Sequence, residues 1–475
     1  MNPATPSAPA TVALVATARP TFTLDAARDL LTRARALLTE LGADIFGPED
    51  LVMTPDDLEA ALADQRADVD LVLNICATFS DASPALRLYD TLDRPLLLWS
   101  FREPGPVGDR LWLNSLCGAN LFGHAMVRNG GQVRLLHGDP EEDEVRETLA
   151  AALRGTLPDA VFPPSVTRAR GPESEARAAL DGLQGKRIGV IGDPPTGFTP
   201  SEYDPELLER VFGLQVERIE VQEAFARTRA VSESDCAAER ESATRAQPSL
   251  AALDPVHVER LAGVTSALRG WREEATLSAV AVRCWPEFPT ELGVCPCSAL
   301  SRLANEATPT ACERDVYGTV TMLLMEALGS GTTYLVDTVD LDTRENLVRL
   351  WHCGSAATSL AADPLDAHQS VHCNRRIGVA GDFPLATGSV VMARLTEDRT
   401  TSSGLRLLLA AGESLPEPNR FQGNTAAVRL DGSAHDLVHG LVSGGFPHHT
   451  VVAWTDVRPG LRAAADQLHI PVIEW

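Results

Sequence analysis

In the first part of the chain, the apolar and polar positions form strand-like and helix-like segments that follow one another in a repeating order. The runs TVALVAT (11–17), VDLVLNICATFSD (69–81) and QVRLLHGD (132–139) are rich in apolar residues and predict buried strands, the second of which runs into a polar loop. The segment LDAARDLLTRARALLTELGA (24–43) has the period of an amphipathic helix, which Gly42 ends. Strands that alternate with helices predict a parallel sheet covered by helices on both faces. Because ligands bind beyond the carboxyl ends of such strands, the loop Thr78-Phe79-Ser80 is a candidate binding loop.

The same plan restarts after a turn-rich, polar stretch at 158–172. KRIGVIGD (186–193) predicts a strand, and TLSAVAVRCWPE (276–287) predicts another that ends in Arg283, Trp285 and Glu287. These three side chains are candidates for the wall of a pocket, although an ordinary capped strand with a packed tryptophan would have the same sequence. Gly189, Gly192 and Gly197 do not form the spacing G-x-G-x-x-G, so no nucleotide cofactor is expected.

The segment from Ala311 to Cys353 contains the sequence pattern that most clearly indicates a functional site. VYGTVTMLLMEAL predicts a helix, Gly-Ser-Gly ends it, and TTYLV predicts a strand that runs into Asp337. A helix of about 13 residues and a strand of about six both span roughly 20 Å. Glu313, before the helix, and Asp337, at the far end of the strand, should therefore lie on one rim. Alternatively, Glu313 and Asp315 only favour the positive end of the helix and Asp337 opens a loop.

The last part of the chain has a different pattern, in which short β-rich runs replace the alternation of strands and helices. Short β-rich runs at 375–415 and 424–432 are interrupted by glycine, proline and Asp-Gly turns, which predicts an antiparallel sheet or a small barrel. A Gly-Gly-Phe-Pro loop then brings His448 and His449 to the strand TVVAW, where neighbouring side chains point to opposite faces. The fold class is therefore α/β, and the predicted domains are 1–170, 171–355 and 356–475.

Composition and charge narrow the possible partners. The chain has 475 residues, 44% of them apolar and 22% charged, as expected of a globular protein with about three domains. Its formal charge of −24, from 41 basic and 65 acidic residues, repels phosphate backbones and anionic lipid, so neither nucleic acid nor a membrane is an expected partner. The N-terminal segment lacks the basic and apolar regions of a signal peptide, which indicates a cytoplasmic protein.

The candidate metal ligands are oxygen and nitrogen atoms. Glu313, Asp337, one residue of the pair His448-His449, and His352 form a set that suits Mn²⁺, Mg²⁺, Co²⁺ or Fe²⁺. The nine scattered cysteines do not form a disulfide framework, and the single Cys295-x-Cys297 pair is a weak indication of zinc.

Several blocks of the chain resemble the L-fucose isomerase/L-arabinose isomerase superfamily. The resemblance rests on these blocks: Ala-Cys-Glu313-Arg-Asp315, the interval of 24 residues from Glu313 to Asp337, Trp351-His352-Cys353-Gly354, Gly388-Ser-Val-Val-Met-Ala-Arg394-Leu395, Pro447-His448-His449-Thr450-Val451 and Thr78-Phe79-Ser80. Arg314 replaces the glycine of the arabinose pattern and Asp337 its glutamate. The resemblance therefore indicates the superfamily without indicating one sugar.

The resemblance implies two Rossmann-like domains followed by a C-terminal β-domain, assembled as a homohexamer in which N-domain loops complete a neighbouring site. It implies a monosaccharide substrate and a divalent metal, with Mn²⁺ favoured, held by Glu313, Asp337, His449 and His352. Glu313 and Asp337 would then move a proton between C2 and C1 of an open-chain aldose through a cis-enediol. The implied substrate-binding residues are His448, Arg283, Trp285, Glu287, Thr78, Phe79 and Ser80.

A non-catalytic sugar-binding or regulatory protein on the same fold is the alternative. Such a protein needs no metal-facing carboxylates, so the presence of both Glu313 and Asp337 argues against it.

Overall fold

The computed structural model describes residues 9–61, 69–92, 95–161 and 172–475. These residues form two compact units. Unit 1 comprises the described residues of Met1–Pro104, Leu111–Phe162 and Val438–His448, and unit 2 those of Gly105–Arg110, Pro163–Leu437 and His449–Trp475. The boundary predicted at residue 170 and most of the N-terminal segment lie outside the described residues. The division into three domains stays a prediction.

Unit 1 contains a parallel sheet with the strand order β2-β1-β3-β4-β5 in its described part. Every residue of β3 is buried, as expected of a strand covered on both faces. The loop after β3 carries Thr78, Phe79 and Ser80, at the carboxyl end where the sequence predicts a binding loop. The elements are β1 (Thr11–Thr17), α1 (Leu24–Glu40), β2 (Asp44–Phe46), α2 (Pro55–Ala61), β3 (Leu71–Cys76), α3 (Ser83–Leu92), β4 (Leu96–Ser100), α4 (Ser115–Arg128), β5 (Val133–His137) and α5 (Asp143–Ala152).

Unit 2 begins with a second parallel sheet, ordered β7-β6-β8-β9 in the described residues. Strands β8 and β9 are neighbours, so the residues that follow them emerge at the same edge of the sheet. The elements are α6 (Glu173–Leu183), β6 (Arg187–Ile191), α7 (Pro205–Phe212), β7 (Gln215–Ile219), α8 (Val221–Arg229), α9 (Glu233–Ala246), α10 (Pro255–Glu274), β8 (Leu277–Val282), α11 (Cys297–Asn305), β9 (Thr310–Ala311) and α12 (Val316–Ala327).

The rest of unit 2 is mostly antiparallel and confirms the predicted β-rich C-terminal part. In the described residues the strand order is β14-β17-β11-β10-β18-β15-β16-β19, and β17 also pairs with β16, which closes a barrel. The elements of the C-terminal part are β10 (Tyr334–Asp342), β11 (Leu347–His352), β12 (Gln369–Val371), β13 (Gly378–Gly381), β14 (Phe383–Pro384), β15 (Gly388–Glu397), β16 (Leu405–Leu415), β17 (Asn424–Leu430), α13 (Ala434–Ser443), β18 (His449–Ala453), α14 (Arg458–Gln467) and β19 (Val472–Glu474).

Strands β10 and β11 belong to this barrel, because their hydrogen-bonded partners β18 and β17 follow much later in the chain. The predicted domain limit at residue 355 would separate these strands from their partners.

Helix α12 joins the parallel sheet of unit 2 to the barrel. Its residues from Val316 to Met325 are all buried, and the apolar ones belong to one cluster with Ala281 of β8 and Val451 of β18. A helix surrounded by core has no polar face, which explains why this run in the sequence is mostly apolar. The start of α12 is therefore fixed between the parallel sheet and the barrel.

Among the described residues, no helix has the length and apolar character needed to cross a membrane.

Candidate active site

Glu313 lies where β9 ends. It sits in a short turn with a φ of 58°, and the next residue, Arg314, has a φ of 59°. Positive φ is uncommon for residues with a side chain, so this turn must be held by its surroundings. Arg314 holds it by donating to the carbonyl oxygens of Gly192 and Ser201, at 2.6 and 2.8 Å.

Trp285 reaches Glu313 from the neighbouring strand. It follows β8, and its Nε1–H donates to Oε1 of Glu313 at 3.0 Å. The adjacent carboxyl ends of β8 and β9 bring the two residues to the same edge. One oxygen of the Glu313 carboxylate is thereby oriented by the indole.

Asp337 and His449 lie next to each other on adjacent strands of the barrel wall. They are directly paired residues of the antiparallel strands β10 and β18. His449 Nε2 lies 3.3 Å from Asp337 Oδ1 and 3.3 Å from Glu313 Oε2. Two carboxylates, one from the parallel sheet and one from the barrel, therefore meet at one imidazole nitrogen. Asp337 is the fourth residue of β10 and not its last, because the strand continues to Asp342.

Asp315 orients the imidazole from its other side. Its Oδ1 accepts from the Gly318 N–H at 2.8 Å, which caps α12 as the sequence indicated. Its Oδ2 also lies 2.8 Å from His449 Nδ1, and Arg394 binds both carboxylate oxygens from β15. With its Nδ1 proton directed at Asp315, a neutral His449 presents the lone pair of Nε2 to Glu313 and Asp337.

Burial and charge shift the pKa values in this cluster. Burial raises the pKa of Asp337 to about 8. Burial also acts upward on the pKa of Asp315, but Arg394 and His449 outweigh it and hold that pKa well below its usual range. Burial acts downward on the pKa of His449, and hydrogen bonds to Asp315 and Glu313 raise it to about 10. The negative charges of the carboxylates thus strongly stabilise a positive charge within this cluster.

His352 adds a second imidazole. Its ring centroid lies 5.6 Å from that of His449, and its ligand atom is within 4.8 Å of those of Asp337 and His449. The three residues are buried and form a possible metal-binding group, with Glu313 beside them. Carboxylate oxygens and imidazole nitrogens fit a divalent ion such as Mn²⁺ or Fe²⁺. A divalent cation would also balance the excess of carboxylates over the single guanidinium of Arg394.

The predicted pocket residues after β8 have different surroundings. Trp285 packs edge-on against Phe198, with ring centroids 5.7 Å apart, and Phe198 lies 6.3 Å from the ring of His449. Arg283 forms two hydrogen bonds with Glu287, at 2.9 and 2.6 Å. Trp285 therefore contacts the carboxylate cluster, whereas Arg283 and Glu287 mainly satisfy each other.

The predicted N-domain loop and His448 meet within unit 1. Thr78, Phe79 and Ser80 are buried after β3, and Thr78 Oγ1 accepts from the Arg19 N–H at 2.8 Å. Phe79 lies edge-on to the imidazole of His448, with centroids 5.7 Å apart. The structure thus brings these four predicted substrate contacts together.

Sequence reasoning missed the contribution of Arg394 and undervalued Asp315. The signal was present: Arg394 stands within the apolar run SVVMARL, and a buried arginine needs an anionic partner. The partner, Asp315, is 79 residues away, so the local pattern could not identify it.

No protein-family model matches the chain. A sulfoquinovose isomerase of Alkalicoccus urumqiensis is 35% identical over 98% of this chain and 99% of its own length. Sulfoquinovose isomerases of Priestia megaterium (strain ATCC 12872 / QMB1551) and Clostridium sp. (strain MSTE9) are each 31% identical, over 94% and 95% of this chain and 95% and 96% of their own lengths.

Together, the paired carboxylates and these full-length relatives define an aldose-ketose isomerase, which is an intramolecular oxidoreductase. The chain belongs to the sulfoquinovose isomerase family. The alternative of a non-catalytic sugar-binding protein is therefore rejected.

Proposed function

We propose that this protein is a divalent-metal-dependent isomerase that interconverts sulfoquinovose, a six-carbon aldose with a sulfonate group, and the corresponding ketose. The relatives' names support the substrate. The observation that carries the chemistry is the meeting of Glu313 Oε2 and Asp337 Oδ1 at His449 Nε2, each at 3.3 Å. This arrangement supports the assignment of Glu313 and Asp337 as proton carriers beside one ligand nitrogen.

Glu313, Asp337, His449 and His352 would hold the metal ion, for which Mn²⁺ is the first candidate and Mg²⁺, Co²⁺ and Fe²⁺ are others. When bound there, a divalent ion supplies polarisation of the sugar oxygens on C1 and C2, which acidifies the C2 proton. Asp315 keeps the imidazole of His449 in the ligating tautomer.

The reaction itself is a proton transfer by the carboxylates. One of Glu313 and Asp337 takes the proton from C2, the electron pair of that bond forms the C1=C2 double bond, and O1 takes a proton. The resulting cis-enediol then loses the proton on O2 while C1 gains one, which gives the ketose. Each carboxylate has two oxygens, so binding of one oxygen leaves the other for this transfer.

The sugar also needs contacts away from C1 and C2. We assign Trp285 to the wall of the site, because its indole already contacts Glu313. His448, Arg283, Glu287, Thr78, Phe79 and Ser80 are proposed as further substrate contacts, on the resemblance described above. The homohexamer and the relation to L-fucose and L-arabinose isomerases are also proposals from that resemblance, and sedimentation velocity tests the hexamer.

An aldose panel with controlled metal content tests this function. Chelator-treated protein is incubated with sulfoquinovose, D-glucose, L-fucose or L-arabinose, with and without Mn²⁺, and ketose formation is followed by NMR. We expect conversion of sulfoquinovose that depends on added metal. Absence of any ketose would reject the isomerase proposal for these sugars, and equal rates without metal would reject the metal dependence.

A further inference from the structure

Arginine side chains gather around the turn between β12 and β13. Arg375 and Arg376 lie in this turn, whose ends are joined by a hydrogen bond from the His372 N–H to the Ile377 carbonyl, at 2.9 Å. Arg110 donates to Asn374 Oδ1 in the same turn, at 3.3 Å. A nearby segment supplies Arg420 and Gln422, and Gln422 Oε1 accepts from Arg376 at 3.3 Å. We call Arg110, Arg375, Arg376 and Arg420 the arginine cluster; all four belong to unit 2.

The segments that carry these arginines are held together by the backbone. The Gly108 N–H donates to the Arg420 carbonyl and the Gln422 N–H donates to the Asp109 carbonyl, both at 2.9 Å. Arg420 also donates from its guanidinium to the Gly105 carbonyl, at 3.3 Å. The cluster is therefore built on a connected frame and is not a chance collection of surface side chains.

The guanidinium groups of Arg376 and Arg420 donate to neutral amide and carbonyl oxygens. Within the described part of the chain, no carboxylate oxygen lies within 4.0 Å of a side-chain nitrogen of Arg375, Arg376 or Arg420. Carboxylates are abundant in this protein of formal charge −24, and Arg349, for example, binds both Asp340 and Glu417. Arg375, Arg376 and Arg420 thus retain their positive charge for a ligand.

A chain of contacts leads from the carboxylate cluster to this turn. The rings of His449 and His352 are 5.6 Å apart, and His352 Nδ1 lies 3.3 Å from the Cys353 thiol. The ligand atoms of Cys353 and His372 are within 4.8 Å of each other. His372 begins the arginine-bearing turn, so the turn lies beside the proposed active site within unit 2.

The electrostatics of His372 agree with this placement. Burial and the charge of Arg375 lower the pKa of His372 to about 4, while the Glu313 carboxylate acts in the opposite direction. The ring is therefore neutral near pH 7. Its Nδ1 accepts from the Asn374 and Arg375 N–H groups, at 3.1 and 3.3 Å, so the ring proton lies on Nε2 and can be donated.

We propose that the arginine cluster binds the sulfonate group of the sugar, with Arg375 as the main contact. This inference rests on the proposed function and adds the residues that select the substrate. A sulfonate is permanently anionic and has three acceptor oxygens, which match the fixed donors of guanidinium groups. The metal-binding residues would hold the C1 and C2 end of the open chain while the cluster holds the C6 end.

Substitution of the turn arginines tests the proposal. Arg375→Gln and the double variant Arg375→Gln/Arg376→Gln should raise KM for sulfoquinovose roughly ten- to a hundredfold, because charge-assisted hydrogen bonds are lost. The kcat value and the affinity for Mn²⁺ should stay within about twofold, because neither variant removes a metal-binding residue or proton carrier. Arg375→Lys should restore part of the affinity. Arg344→Gln, at an exposed position in the β10–β11 turn, is the matched control and should behave as wild type.

A binding measurement separates this inference from the isomerase proposal. Calorimetric titration of the protein with sulfoquinovose, D-glucose and glucose 6-phosphate does not depend on turnover. We expect sulfoquinovose to bind best and to lose at least about tenfold in affinity in the double variant, with D-glucose unaffected.

Equal sulfoquinovose binding by wild type and the double variant would overturn the assignment of the cluster, whatever the activity. Tighter binding of glucose 6-phosphate would overturn the sulfonate assignment in favour of phosphate. A wild-type protein that binds sulfoquinovose through these arginines but forms no ketose would reject the isomerase proposal alone.

Discussion

His449 Nδ1 lies 2.8 Å from Oδ2 of Asp315, at the start of helix α12. The same carboxylate caps the helix through the Gly318 N–H and is paired with Arg394. One buried side chain therefore connects the helix, the barrel strand β15 and the imidazole. Because Nδ1 is occupied in this way, Nε2 is the nitrogen that would bind the proposed metal ion beside Glu313 and Asp337.

Loss of the Asp315 carboxylate should weaken metal binding. In Asp315→Asn the amide is a poorer acceptor for the Nδ1 proton and no longer stabilises the ligating imidazole. We expect the affinity for Mn²⁺ to fall roughly 10- to 100-fold by calorimetric titration. Asp466→Asn, at an exposed position on α14, is the control. An unchanged Mn²⁺ affinity in Asp315→Asn would show that His449 does not depend on this contact for ligation.

Removal of a proton carrier should stop the reaction while the fold is retained. Glu313→Gln keeps the size of the side chain and the acceptor for Trp285 but cannot move a proton. At saturating Mn²⁺ we expect kcat to fall about 1,000-fold in an NMR assay of ketose formation. Glu209→Gln, on the exposed side of α7, should retain wild-type kcat. Turnover by Glu313→Gln at the wild-type rate would remove Glu313 from the acid–base assignment.

Trp285 should act on rate through its hydrogen bond to Glu313. Trp285→Phe keeps an aromatic ring against Phe198 but removes the Nε1–H donor that orients Oε1. The loss of one hydrogen bond to a charged group should lower kcat about tenfold, and KM for sulfoquinovose should change less. Steady-state kinetics would contradict this role if kcat were unchanged, or if only KM increased.

Arg394 should matter for stability because its charge balances a buried carboxylate. The exposed fraction of its side chain is 1%, and that of Asp315 is 0%. Arg394→Met leaves the Asp315 charge without its guanidinium and should cost about 3–5 kcal/mol of unfolding free energy in urea titrations. Arg399→Met removes an exposed guanidinium that pairs with Glu397 and should change this free energy by less than about 1 kcal/mol. Equal stabilities of the two variants would contradict the structural role of the buried pair.

Elements with a strong local pattern could be predicted from the sequence. Strand β1 occupies the run 11–17, and α12 fills the apolar run after Asp315, because burial imposes a recognisable period on neighbouring residues. Strand β10 was less predictable. Its second half, Thr338–Asp342, alternates polar and apolar residues in a barrel wall, and its pairing with β18 depends on residues more than a hundred positions later.

The candidate site could be predicted in part for the same reason. Glu313 and Asp337 stand in one helix–turn–strand segment, so simple lengths already placed them on one rim. The contacts that orient His449 could not be predicted from spacing, since Asp315 and His449 are 134 residues apart. Asp315 has the sequence of an ordinary helix cap, and only the tertiary structure reveals its second partner.

The most direct measurement is anomalous diffraction from crystals of the protein soaked in Mn²⁺. We predict one strong peak about 2.2 Å from His449 Nε2 and from carboxylate oxygens of Glu313 and Asp337. That peak should disappear in Glu313→Gln/Asp337→Asn crystals soaked in the same way. A Mn²⁺ peak at which Glu313, Asp337 and His449 are not ligands, or density in the wild type that shows no ion between these three side chains, would contradict the proposed metal site.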